Sequence, residues 1–252
     1  GHATAGFAHR AMPLMSNVGH LKSEKGELMK NNCFVPTFLI GLLIFVGASA
    51  DATEVKLNSP GDVTVHDVTA QAVTYQGRKA LKVELTDTLQ QKILQGQGSN
   101  NPAFAILATD FKDGVIEIDL AGELNGKGAP DARAFVGVAF HIPSDKSTYE
   151  AIYLRMTNGR LTQPTPTEPR ISRAIQYTAH PDFHWQVSRQ KFPGKYEKGA
   201  NIAPAMWIRL RLEISGSELR AFINDEKDPA LMVSDLKLSN STGKIGLWVD
   251  DG

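Results

Sequence analysis

Three groups of residues in this chain have types and spacing that suit chemistry. In the stretch S-T-Y-E-A-I-Y-L-R-M-T-N-G-R, residues 147–160, Tyr149, Ala151, Tyr153 and Arg155 recur at every second position. A strand there presents two phenols and a guanidinium on one face, and Glu150, Ile152, Leu154 and Met156 on the other. A guanidinium is a fork of donors suited to hydroxyls or a carboxylate, and a tyrosine beside it can stack and hydrogen-bond at once. The second group is His180-Pro181-Asp182-Phe183-His184-Trp185. A helical turn begun by Pro181 brings His180 and His184 onto one side, a spacing that can hold zinc. No third ligand is set by the sequence, so neither a metal nor a cofactor is expected. Trp185 offers a flat apolar face to a sugar ring, with His180, Asp182 and Arg189 in reach of hydroxyls; the competing role for Trp185 is to plug the edge of the core.

The third group is Glu117-Ile118-Asp119, two carboxylates on one strand face, with Glu123 the next acid. A nucleophile and an acid/base must sit ~5–5.5 Å apart for retaining glycoside hydrolysis. Glu123 lies six positions beyond Glu117 and past Gly122, roughly 20 Å along an extended strand, so this set reads as a solvated face. The chain has no Gly-rich phosphate loop, no G-x-S-x-G elbow and a single cysteine, Cys33.

The elements that position these residues are strands. Short period-two segments lie at Val63–Val65, Ala72–Tyr75, Leu81–Leu85, Phe104–Leu107, Val115–Leu120, Phe135–His141, Ala174–Thr178, Trp207–Ile214, Leu219–Ile223, Leu231–Leu236 and Lys244–Val249. Leu89–Leu94 predicts a turn or so of helix. Loops are expected at 95–101, at 122–131, at the proline-rich 162–169 and across the irregular, aromatic-rich 180–199. Asn158-Gly159 is expected to turn the chain through positive φ. Many short strands and almost no helical period predict an all-β, antiparallel two-sheet sandwich.

Upstream, Met29-Lys30-Asn31-Asn32, an apolar run from Phe34 to Val46 and Ala48-Ser49-Ala50 read as a signal peptide cleaved after Ala50, so export to the periplasm or beyond is expected. The run is shorter than the ~20 apolar residues a bilayer requires. Residues 1–28 have no period and read as an untranslated or disordered upstream segment, which leaves 51–252 as one domain. Removing residues 1–50 removes Cys33, so packing alone must hold the domain. Lys plus Arg and Asp plus Glu are equal at 27 each, and nothing in their distribution reads as a nucleic-acid footprint. The oligomeric state is not legible.

Trp207, the alternation to Ile214, Gly216, Leu219, Phe222-Ile223-Asn224-Asp225, Leu236 and Gly243-Lys244-Ile245-Gly246-Leu247-Trp248 together resemble the closing half of concanavalin A-like lectin/glucanase jelly rolls. The laminin-G-like and keto-disaccharide-hydrolase-like branches are the most similar. The Y-E-A-I-Y-L-R stretch, with Gln176-Tyr177 and His180-Pro181, looks like a bacterial secreted subgroup. The resemblance implies one jelly-roll domain over roughly 55–252. Family members usually continue past Asp250-Asp251-Gly252 with one more strand, without which a sheet edge is exposed.

On these grounds the leading expectation is carbohydrate binding on a loop-walled sheet face by Tyr149, Tyr153, Arg155, Arg160, Gln176, His180, Trp185 and Arg189. The alternative that the resemblance implies is a glycoside or keto-disaccharide hydrolase, with Glu150, Asp182, His141 and His180 as candidate groups. A structural or adhesion module is the third expectation. Arg209, Arg211 and Arg220 read as a solvated ladder on the far hairpin.

Overall fold

The computed structural model describes residues 5–8, 53–98 and 100–252. The segment 29–50 that reads as a signal peptide, and the cleavage expected after Ala50, lie outside the described residues. Within them the strands are β1 (Ala5–Ala8), β2 (Thr64–His66), β3 (Val68–Tyr75), β4 (Arg78–Leu85), β5 (Phe104–Phe111), β6 (Gly114–Ala121), β7 (Phe135–Ile142) and β8 (Tyr149–Arg155). They continue as β9 (Ile175–His180), β10 (Glu197–Lys198), β11 (Ile208–Ser215), β12 (Glu218–Ile223), β13 (Leu231–Val233) and β14 (Gly243–Val249). Two helices, α1 (Asp87–Leu94) and α2 (Trp185–Lys191), interrupt them.

One sheet runs β13-β12-β11-β6-β1-β4-β3 and the other β10-β9-β8-β7-β14-β5-β2, and their strand pairs are antiparallel. The result is an all-β, two-sheet jelly-roll sandwich. β1 pairs with β4 on one side and β6 on the other, from a stretch whose sequence carries no strand period.

The alternation sets the core. Ile208, Leu210, Leu212 and Ile214 of β11 and Ile116, Ile118 and Leu120 of β6 point inward. They share one apolar interior with Val136, Val138 and Phe140 of β7, Ile152 and Leu154 of β8, and Leu247 and Val249 of β14. The outer face of the second sheet carries a separate apolar layer of Phe104, Ala139, Ile142, Tyr149, Ala151, Tyr153 and Trp248. β8 is therefore buried on both faces, not half wet as its two tyrosines and arginine suggested. The tyrosines pack by their rings, which their polar tips conceal in a sequence reading.

The turn after β8 also differs from expectation. Met156–Asn158 forms a 3₁₀ turn, and Gly159 has φ −64°, so no positive φ is needed. Glycine is required there for space: a Cβ would run into the backbone oxygen of Ile202.

The hairpin ladder is less solvated than expected. Arg209 Nε donates to Asp119 Oδ1 at 3.3 Å, and Arg78 Nη1 reaches Asp119 Oδ2 at 3.4 Å. Asp119 is buried beneath these two guanidiniums, so the Glu117-Ile118-Asp119 strand holds a structural ion-pair lattice rather than a free carboxylate pair. Arg209→Ala is expected to cost about 1–2 kcal/mol, the usual worth of a hydrogen bond to a partly buried charged group. Exposed Arg220→Ala is expected to cost under ~0.5 kcal/mol. Urea-denaturation midpoints of the two variants check this, and equal midpoints would show that the lattice contributes nothing.

Candidate functional site

The site lies at the end of β8 where the chain leaves the second sheet. β7 and β8 pair with Phe135 opposite Arg155, and β8 and β9 pair with Tyr153 opposite Gln176. β14 runs beside β7, and Asp250 follows directly at its end. Two connecting segments, 131–134 before β7 and 156–174 between β8 and β9, and the helix α2 after β9 wall this corner. α2 has a histidine N-cap without a side-chain bond, and its last turn carries Arg189 and Lys191, which suit the negative end of the helix dipole. Together these elements enclose a cleft lined by Asp131, Arg133, Phe135, Tyr153, Arg155, Asn158, Arg170, Arg173, Trp185, Arg189 and Asp250. It is an open cleft, with about 690 Å³ of empty space when its mouth is included.

Arg155 is the centre of the cleft's frame. It is only 5% exposed. Its Nη2 donates to Tyr153 Oη at 2.9 Å and to Gln176 Oε1 at 2.6 Å, and its Nη1 to the Arg173 carbonyl at 3.3 Å. Gln176 Nε2 in turn donates to Ser188 Oγ of α2 at 3.3 Å, which ties the helix to the sheet. The guanidinium also lies 4.9 Å over the Tyr153 ring and 5.7 Å over that of Phe135. Burial lowers the Arg155 pKa from its ordinary value.

Glu197 of β10 is buried beside it and collects guanidiniums. Arg189 binds it through Nε and Nη2 at 2.7–3.0 Å, Arg173 Nε at 3.2 Å, and Arg155 Nη1 stands 3.9 Å away. Arg189 also covers the Trp185 ring at 4.7 Å. Trp185 itself is 39% exposed and lines the cleft. Asp250 is half-buried beside Arg155, and burial pushes its carboxyl up to about 6.

The structure brings Tyr153, Arg155, Trp185 and Arg189 into one cleft, with Gln176 as the support beneath Arg155. Three other residues assigned to the site from sequence lie elsewhere. Tyr149 is fully buried, stacked on His180 at 5.1 Å and edge-on to Phe104. His180 pairs through Nδ1 with His184 Nε2 at 3.1 Å, and His184 Nδ1 meets Thr178 Oγ1 at 3.1 Å. Arg160 turns the other way, toward Asn201. Tyr153 cannot serve as a stacking platform either, because its ring lies on Trp248 at 4.6 Å and its hydroxyl accepts from Arg155.

The histidine pair spends its facing nitrogens on one hydrogen bond. Burial, with His180 adding to it, depresses His184 to about 4, and burial lowers His180 as well. Among the described residues no group of three or more His, Cys, Asp or Glu is arranged to hold a metal ion, and no helix is long and apolar enough to cross a membrane.

Glu150 and His141, candidates for hydrolytic chemistry, are on the inner side of the sheet and fully enclosed. Glu150 Oε2 faces His141 Nδ1 at 2.7 Å. Glu150 Oε1 accepts from Tyr177 Oη at 2.5 Å and from the backbone N–H groups of Lys237 and Leu238 at 2.8 and 3.2 Å. This cluster pins the 234–238 segment to the sheet and does not reach the cleft.

Sequence reasoning missed Asp131, Arg133, Phe135, Asn158 and Asp250 as lining residues, and Glu197 behind them. Their only sequence signal is adjacency to strand ends whose neighbours are fixed by sheet order.

No family model matches the chain, and no curated protein matches it. Among solved structures, the carbohydrate binding module CBM66 from Bacillus subtilis is similar, with 13% identity and a TM-score of 0.41 over 59% of this chain and 74% of that one. At that level the likeness carries no information on what this cleft holds.

Proposed function

We propose that the protein binds a carbohydrate in the cleft between the end of β8 and α2. The observation that carries this reading is the pairing of a positioned, exposed indole with fixed hydrogen-bond donors in one concave site. Trp185 offers an apolar plane, and Arg189 stacked on it and Arg155 below are held by their neighbours before any ligand arrives. Sugars present both an apolar C–H face and a rim of hydroxyls, and a site with both features satisfies them at once. A preset donor array also lowers the entropy lost on binding. The reading includes export directed by residues 29–50, as a secreted or periplasmic domain.

A glycan array with the 252-residue chain tests the reading directly. Trp185→Ala is expected to abolish array binding, or to weaken it by at least about tenfold, because exposed aromatic anchors dominate small interfaces. The same change should leave the thermal midpoint near the parent's, since Trp185 is not part of the core. Unchanged binding by the variant would move the ligand away from this cleft.

A second reading, glycoside hydrolysis, draws on one observation. Asp250 borders the cleft with its carboxyl pushed up to about 6, near the range of a working general acid. Release of reducing ends by the parent and its loss in Asp250→Asn would decide for this reading.

A further inference from the structure

We propose that the saccharide taken by this cleft carries a negative group, a carboxylate or a sulfate ester, seated among Arg133, Arg170 and Arg173. The inference rests on the carbohydrate reading above and narrows it to a charged class.

The cleft is lined by five guanidiniums and two carboxylates. Glu197 behind the wall adds a third carboxylate, but it is already shared by Arg189 and Arg173, with Arg155 close by. Arg170 is held by neutral groups only: its Nε donates to Asn158 Oδ1 at 3.0 Å, and its Nη2 to the Thr157 carbonyl and hydroxyl at 3.0 and 3.2 Å. Arg133 donates to the backbone carbonyls of Asp131 and Ala132. Its carboxylate neighbour, Asp131, is 4.0 Å away with a side chain 84% exposed, where water screens the attraction.

A second observation comes from the arginines themselves. Arg133 is shifted below its ordinary value by burial first, then by the positive charges of Arg170 and Arg155, and Asp131 does not offset these. Arg189 acts on Arg155 in the same sense. These charges are therefore near enough to raise one another's cost; Glu197 compensates Arg189, Arg173 and in part Arg155, whereas Arg170 and Arg133 are held by neutral acceptors. Like charges kept side by side in a concave, partly dry site are stabilised by an anion that enters it. A neutral sugar would leave this repulsion in place. A carboxylate or sulfate ester on the ring removes it, with the planar donor forks matching its oxygens.

Isothermal titration of the 252-residue chain tests this with four probes: tetragalacturonate, galactotetraose, a κ-carrageenan tetrasaccharide and hexaglutamate, at about 50 and about 300 mM salt. The expected result is that at least one charged saccharide binds about tenfold or more tightly than galactotetraose, and that this margin narrows at the higher salt. The better of the two charged sugars tells carboxylate from sulfate. Arg170→Gln and, on a separate loop, Arg133→Gln are each expected to reduce the margin severalfold with an unchanged circular dichroism spectrum. Either variant suffices if the other fails to fold. Equal affinity for galactotetraose and both charged sugars overturns the charge inference and leaves carbohydrate binding standing. Failure of both charged sugars to bind overturns it too, with the glycan array deciding the carbohydrate reading separately. Hexaglutamate binding as tightly as the charged sugars overturns the saccharide assignment altogether.

Discussion

Glu150→Ala is expected to cost about 3–5 kcal/mol, the usual effect of removing one partner of a buried charged cluster. The carboxylate is fully enclosed and serves four donors at once: the Tyr177 hydroxyl, two backbone N–H groups, and His141. Deleting it leaves the Tyr177 hydroxyl, the Leu238 N–H and His141 Nδ1 without this acceptor, while the Lys237 N–H keeps the Tyr177 hydroxyl oxygen at 2.9 Å. Glu150→Gln should be milder, about 1–3 kcal/mol, because a glutamine oxygen can still accept from the three donors that meet Oε1. His141 would then have to accept from the new amide while its Nε2 donates to the Lys112 carbonyl, 2.8 Å away.

In the parent, both ring nitrogens of His141 face acceptors, which favours the charged imidazolium. Burial works against that charge, but the hydrogen bonds to Glu150 and to the Lys112 carbonyl together outweigh it, and the pKa is raised. A raised folded-state pKa means that the native state holds the proton more tightly than the unfolded chain. This contribution to stability is therefore present in full below about pH 6.5 and is lost as pH rises through the folded value. Urea denaturation between about pH 5.5 and 8.5 should show that decline in the parent and a flatter profile in Glu150→Gln. An alanine variant as stable as the parent would mean that the cluster holds nothing together.

Legibility of the fold from sequence followed the strength of the local signal. β11 reads itself, since Ile208 to Ile214 alternate apolar and charged without a break and all four aliphatics are buried. β8 alternates as cleanly, yet both of its faces are buried. Polar tips on Tyr149, Tyr153 and Arg155 suggested a wet face, while their rings and stem are packed in an outer layer against Trp248 and Phe104. α2 is seven residues with no apolar period, so it had no signature beside the aromatic residues that flank it. β10 is two residues long and exists because it pairs with β9.

The site divides in the same way. Tyr153 with Arg155 follows from period two, and Trp185 with Arg189 from proximity within one loop. Phe135, Arg133 and Asp250 enter only because β7 lies between β8 and β14, an order that no local pattern specifies. Arg160 shares its stretch with Arg155, but the tight turn through Gly159 sends it to the opposite side.

Arg155→Ala is expected to cost about 3–5 kcal/mol, although the residue lies on the strand face read from sequence as ligand-facing. The guanidinium is nearly as buried as the core leucines and makes three kinds of contact at once. It fixes the Tyr153 hydroxyl, orients Gln176 and so the α2 helix, and supplies positive charge between Asp250 and Glu197. Its removal leaves two acceptors empty and two carboxylates with less compensation. For a domain of this size such a loss corresponds to a fall in thermal midpoint on the order of 10 °C. Arg155→Lys should recover only part of it, because an ammonium is a point charge and cannot meet Tyr153, Gln176 and the Arg173 carbonyl in their fixed directions. Thermal midpoints must therefore be measured before affinities: a binding loss in Arg155→Ala reports a collapsed frame, whereas the same loss in Trp185→Ala, at an unchanged midpoint, reports a lost contact. An Arg155→Ala protein that melts with the parent would mean that the cleft is framed by its loops and not by this side chain.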